Sequence, residues 1–265
     1  MRIFVLTALL SLTAASAHAD RVLVIGDSLS CGHFGDNLIA GLSTQGHQVT
    51  MYCAVGSSPE NWMNGHPARA SWPCEIHTYD ASRVGRQKTA PHVEAVKTRN
   101  CGGFPKLREI LNSNPSDHVV IALGTNSLPD GPDASYDRML DAVATSSRTC
   151  DWILPPHLEP GRAKSAAGRR DLAQKEAALW DSTHHRPGRF YNQLESKLNH
   201  RCSAISSLAA TAPGTDGNQT GEGIHATAKA GRARYLAQQA EIERALRQTR
   251  ESQGTQDART HKGVH

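Results

Sequence analysis

Past residue 12 the sequence has no long hydrophobic run, so no later segment is apolar enough to cross a membrane as a helix. It has no CxxC pair, and its fourteen histidines are scattered, which argues against a structural metal. The adjacent His184 and His185 would point apart on a helix or a strand. It lacks a block of clustered basic charge: a net charge of +4 spread along the chain, with no nucleic-acid motif, excludes a dedicated nucleic-acid binder. It also lacks an internal repeat, which excludes a solenoid.

What is present begins with a leader. Arg2 gives a positive start, residues 3–12 form a short apolar run, and Ala17-His18-Ala19 is a small-x-small cleavage pattern. Together they predict a signal peptide over 1–19, cut before Asp20, and an exported protein, periplasmic or secreted. The remainder is long enough for one sizeable domain, expected over 20–250, with a polar, disordered tail over 251–265. Six cysteines, Cys31, Cys53, Cys74, Cys101, Cys150 and Cys202, all lie in the exported part. An even count in an oxidising compartment favours disulfides, and six cysteines allow fifteen pairings.

Strand and helix patterns alternate. Strands are expected at 21–25, 47–54, 118–123, 151–154 and 202–208. Helices are expected at 34–44, 105–112, 134–147, 163–184, 193–200 and 226–250. The first helix carries Phe34, Leu38, Ile39 and Leu42 at helical spacing and ends at Gly46. Residues 56–103 show little periodicity and read as a long loop or insertion. Alternation of this kind predicts an α/β fold, a parallel sheet covered by helices on both faces. Ligands bind such sheets beyond the carboxyl ends of the strands, where strand order reverses. Ser28, Gly56 and Asn126 each follow directly after a strand, so all three are expected at one rim.

Ser28, in "VLVIGDSLSCG", is either an N-cap or a nucleophile, and its own N–H can support an oxyanion there. Gly56 lets its N–H approach a ligand closely. The Asn126 side chain has two amide donors. A serine nucleophile needs a histidine base oriented by a carboxylate, and "GEGIHAT" supplies His225 with Glu222 three residues before it.

Four blocks in one order, "GDSLS" at 26–30, "VGSSP" at 55–59, "LGTN" at 123–126 and "EGIHAT" at 222–227, resemble the SGNH/GDSL hydrolases. The resemblance runs from Arg21 to the final helix and implies a three-layer flavodoxin-like fold with a central parallel sheet. It implies Ser28 as nucleophile, His225 as base, and Ser28, Gly56 and Asn126 as the oxyanion hole. The family usually has Asp where this chain has Glu222; Asp216 is the other carboxylate within reach in sequence. No metal or organic cofactor is implied. The activity implied is carboxylic ester hydrolysis, on a small acyl ester or on O-acetyl groups of cell-envelope carbohydrate or peptidoglycan. A lipase or lysophospholipase, and a catalytically silent envelope-binding module, are the alternatives. The oligomeric state is left open.

The resemblance also orders the cysteines. Cys150 with Cys202 comes first, then Cys53 with Cys74, leaving Cys31 for Cys101, with Cys74–Cys101 as the rival pairing. Outside the four blocks, His157 is expected as a solvated loop residue near the cleft. Trp62 and Trp72 are candidates for stacking on a sugar or for packing within the long loop. Arg162, Lys164, Arg169 and Arg170 form a basic segment expected to be a solvated face.

Overall fold

A computed structural model describes residues 20–83, 95–146 and 148–262; the expected leader at 1–19 lies outside the described residues. In chain order the elements are β1 (Arg21–Gly26), α1 (His33–Thr44), β2 (Gln48–Ala54), α2 (Pro59–Asn64), β3 (Cys74–Tyr79), β4 (Val96–Asn100), α3 (Leu107–Ser113), β5 (His118–Ala122) and α4 (Ala134–Thr145). There follow β6 (Thr149–Ile153), α5 (Ala166–Leu179), β7 (Trp180–Asp181), β8 (Arg186–Pro187), α6 (Arg189–Leu198), β9 (Ser203–Ile205), α7 (Leu208–Thr211) and α8 (Ala228–Lys262).

Seven strands form one sheet in the order β4-β3-β2-β1-β5-β6-β9. From β2 to β9 every pairing is parallel. Counted among the parallel strands alone this is the 2-1-3-4-5 order of flavodoxin-like sheets, with its reversal between β1 and β5. Valine and isoleucine runs build these strands because both faces are covered. Along β1, Val22 and Val24 enter one core with Phe34, Leu38 and Leu42 of α1 and Tyr235 and Ile242 of α8. Leu23 and Ile25 enter the other, shared with α3, α4, α5 and α6. Side chains alternate across a strand, so one apolar run supplies both layers.

The stretch 56–103, expected as loop, contains α2, β3 and β4, and the last two extend the sheet in antiparallel fashion. The period was hidden because β4 is an edge strand: of VKTRN only Val96 is buried. An edge strand with a wet face carries no apolar run. At the other end, α8 continues as backbone helix to Lys262, through a segment expected as a disordered tail. Its Arg, Glu, Gln and Ala content favours helix even where no apolar face demands it.

The disulfides are Cys31–Cys53, Cys74–Cys101 and Cys150–Cys202. The last was the first choice from sequence and the second was the rival. Cys53–Cys74 and Cys31–Cys101 are corrected, and the cause is strand alternation. Cys53 registers with Glu75, so Cys74 stands one residue off register. Cys53 therefore enters the core on the α1 side and Cys74 the opposite core. Cys31 packs against the first and Cys101 against the second, so each meets the cysteine on its own face.

Candidate active site

The turn after β1 is built by Asp27. Its N–H donates to the Ala122 carbonyl at 3.3 Å, and its own carbonyl accepts from Ser30 N–H at 3.0 Å and Cys31 N–H at 3.1 Å. Its carboxylate accepts from Leu29 N–H at 2.9 Å. A Cβ on Gly26 would lie 2.2 Å from the Ser30 side chain, so only glycine lets the turn close this tightly. Ser28 stands in this turn, half-buried. It does not cap α1; that position belongs to Gly32.

After β2, Gly56 has a left-handed φ of 68° and a Cβ there would lie 2.2 Å from the Trp72 ring. Its neighbour Ser57 is buried, with its hydroxyl 2.9 Å from the Ala54 carbonyl and 3.2 Å from the Gly26 carbonyl. After β5, a single helical turn over Thr125–Ser127 presents Asn126. The Asn126 amide donates to the Ser57 carbonyl at 2.9 Å and reaches the Asp27 carboxylate at 3.4 Å. One side chain thus ties together the loops following β1, β2 and β5.

His225 lies three residues before α8. Thr220 and Ala226 pair across the base of its loop. The Glu222 carboxylate contacts His225 Nδ1 and also accepts the His225 backbone N–H at 2.9 Å. Asp216 is paired instead with Lys229 at 2.8 Å. The loop is latched from outside: Glu159 N–H donates to the Gly223 carbonyl at 2.9 Å, and the Thr220 hydroxyl donates to the Glu159 carboxylate at 3.2 Å. Glu176 on α5 in turn holds the preceding residues, accepting from Leu158 N–H at 2.7 Å and contacting His157 Nδ1. Sequence reading missed Glu159 and Glu176. Nothing local marks these latches, since the residues they hold lie between 18 and 64 positions away in sequence.

Burial raises the Asp27 carboxyl to about 6, against the lowering effects of the Leu29 N–H, Arg234 and His225. Arg234, also buried, is pushed down to about 10 by burial. Its guanidinium lies 4.0 Å over the Phe34 ring and donates to the Ser207 hydroxyl at 3.0 Å. A carboxyl raised by folding binds its proton more tightly in the native state. That stabilisation is complete below the unfolded value and is lost as pH rises through about 6. The shift corresponds to about 3 kcal/mol. Asp27→Asn is therefore expected to gain stability relative to the native chain between pH 4 and pH 8, read as the difference in urea midpoints. A difference independent of pH would refute the buried-charge account.

The remaining sequence candidates divide. His157 is buried, not solvated, and edge-on to Trp180 at 5.5 Å. Trp62 is fully buried and donates to the Ser57 hydroxyl at 3.2 Å, so it packs and cannot stack on a ligand. Trp72 is half-exposed, between Gly56 and the guanidinium of Arg69 at 4.6 Å. Arg162, Lys164, Arg169 and Arg170 are exposed, as a solvated face would be.

No family model matches the chain, and no curated protein matches it. Solved structures do. A DUF4886 family protein from Bacteroides uniformis has a TM-score of 0.44 at 15% identity, over 81% of this chain and 79% of that one. A carbohydrate acetylesterase family member from Sinorhizobium meliloti has a TM-score of 0.42 at 16% identity, over 86% and 99%. A family 3 carbohydrate esterase from Talaromyces cellulolyticus has a TM-score of 0.44 at 11% identity, over 86% and 98%.

Proposed function

We propose that the chain is an exported serine esterase of SGNH type that removes a small acyl group, such as acetyl, from cell-envelope carbohydrate. The observation that carries this reading is the Asn126 amide, bonded to the loops after both β1 and β2 at the point where strand order reverses. That position is where such sheets bind ligands.

In this reading Ser28 Oγ attacks the ester carbonyl carbon, and His225 Nε2 takes the hydroxyl proton. Glu222 holds Nδ1–H and stabilises the imidazolium. The negative oxygen of the tetrahedral intermediate meets the Ser28 and Gly56 N–H groups and the Asn126 amide proton that now faces Asp27. The alcohol leaves with the proton from His225. Water then attacks the acyl-serine, giving its proton to the same imidazole, which passes it to Ser28 Oγ as the acid leaves.

A longer acyl chain is favoured by one observation. A groove of about 900 Å³, lined by Leu158, Trp180, Leu208 and Pro213, opens beyond β6 and β9. It lies past β5 from Ser28, two to three strand spacings along the rim. A p-nitrophenyl ester series from acetate to decanoate, run beside acetate release from O-acetylated cell-wall polymer, separates the readings. The expected result is highest kcat/KM at acetate together with acetate release from the polymer. A maximum at octanoate or beyond would replace the acetyl reading with the lipase one.

A further inference from the structure

We propose that Cys31, Cys53, Glu75 and His77 form a zinc site once the Cys31–Cys53 disulfide is reduced. The sheet assembles the donors. Cys53 registers with Glu75 across β2 and β3, and Met51 with His77, which places Cys53, Glu75 and His77 on one face of the sheet. The two sulfurs and a Glu75 carboxylate oxygen lie within 4.8 Å of one another. His77 Nε2 is 3.0 Å from that carboxylate and 3.6 Å from the Cys53 sulfur. Its other nitrogen, Nδ1, is 3.4 Å from the Asp36 carboxylate. A histidine whose far nitrogen is held by a carboxylate is the usual support of a metal-bound imidazole. Two thiolates, an imidazole and a carboxylate are a tetrahedral zinc donor set.

Charge points the same way. Two carboxylates face a single imidazole, so the cluster is electronegative. That disfavours bare thiolates and favours a divalent cation that neutralises them. Cys31 and Glu75 are half-buried while Cys53 and His77 are buried, which gives reagents and metal an open side. The reductant is a dithiol. Its thiolate attacks the Cys31 sulfur and Cys53 leaves; its second thiol resolves the mixed disulfide. The products are the cyclic disulfide of the reductant and two protein thiols. Zinc then displaces both thiol protons.

The site stands next to the proposed esterase centre without depending on it. Cys31 is three residues beyond Ser28, and Cys53 three before Gly56. Disulfide and metal are therefore two ways of tying the same pair of loops, and the reduced, metal-free chain lacks the tie.

The test is zinc uptake in competition with a chromophoric chelator. It compares native chain, chain reduced by a dithiol and desalted without oxygen, the reduced Cys31→Ser/Cys53→Ser variant, and reduced His77→Ala. Expected is one zinc per chain in the reduced protein beyond that held by the double variant, none in the oxidised protein, and affinity about 10-fold or more weaker in His77→Ala. If reduction unfolds the chain, zinc is added during refolding and should raise Tm in the native sequence but not in His77→Ala. Equal uptake by the reduced chain and the double variant, or equal affinity or Tm gain in His77→Ala, overturns the proposal.

Discussion

Ser28→Ala is expected to lower kcat on p-nitrophenyl acetate by about 10⁴-fold or more, down to the buffer rate. Removing a nucleophile disables the whole catalytic unit, so the loss far exceeds the 10²–10³ typical of one oxyanion donor. The fold should not register the change. The bonds that shape the turn run from Asp27 to Leu29, Ser30, Cys31 and Ala122, and among the described residues none uses the Ser28 hydroxyl. Tm should therefore move by no more than about 1–2 °C, the scale of a substitution that breaks no buried contact. The motif holds a second serine, which makes the experiment specific. Ser30 is buried with its side chain against Gly26 and should tolerate alanine with turnover largely kept. Loss in Ser30→Ala with turnover kept in Ser28→Ala would put the nucleophile at the wrong residue. Identical background rates in both variants and the native protein would favour the silent envelope-binding module.

The two serines show what the sequence makes legible. Strand, turn and helix around Ser28 could be read locally because β1 is a run of buried β-branched and aliphatic residues between two helix layers. The same holds for β5 and its Asn126. His225 and Glu222 were legible because three residues separate them, so one turn joins them. Contacts made across the fold were not. β3 and β4 were lost in a stretch with no apolar period, and with them went the face on which each cysteine points. His157 follows two prolines, which read as a solvated strand exit. It is buried because Glu176, on a helix nineteen residues later, reaches back to hold it. Arg234 sits on a helix of mostly polar sequence, yet packs inside over Phe34. Asp27 closes the turn after β1, but its cost is set by burial, which no neighbouring residue announces. Buried charge beside the proposed nucleophile is the kind of local expense that active sites carry and the rest of a core avoids.

His225→Ala should match Ser28→Ala, with kcat down by about 10⁴-fold or more, because nucleophile and base act as one unit. Glu222→Ala should cost less, about 10²-fold. In the proposed mechanism the carboxylate does not itself exchange a proton with substrate; it orients the ring and stabilises the imidazolium. Its contribution here is limited by solvent, since the His225 and Glu222 side chains are 47% and 43% exposed and water can share the stabilisation. The ring also has a second restraint. Its loop is held at Gly223 and Thr220 by Glu159, so losing the Glu222 carboxylate leaves the backbone in place. Two results follow from that arrangement. The double variant Glu222→Ala/His225→Ala should be no slower than His225→Ala alone, as expected of residues in one chain of action. Glu222→Asp, one methylene shorter, should fall between Glu222→Ala and the native protein, because the carboxylate must still span to Nδ1 from a loop pinned at Gly223. A larger loss in Glu222→Ala than in His225→Ala would mean that the glutamate, not the histidine, meets the serine proton. The order of these two single variants therefore decides whether the longer carboxylate fills the orienting position that SGNH/GDSL hydrolases usually give to aspartate.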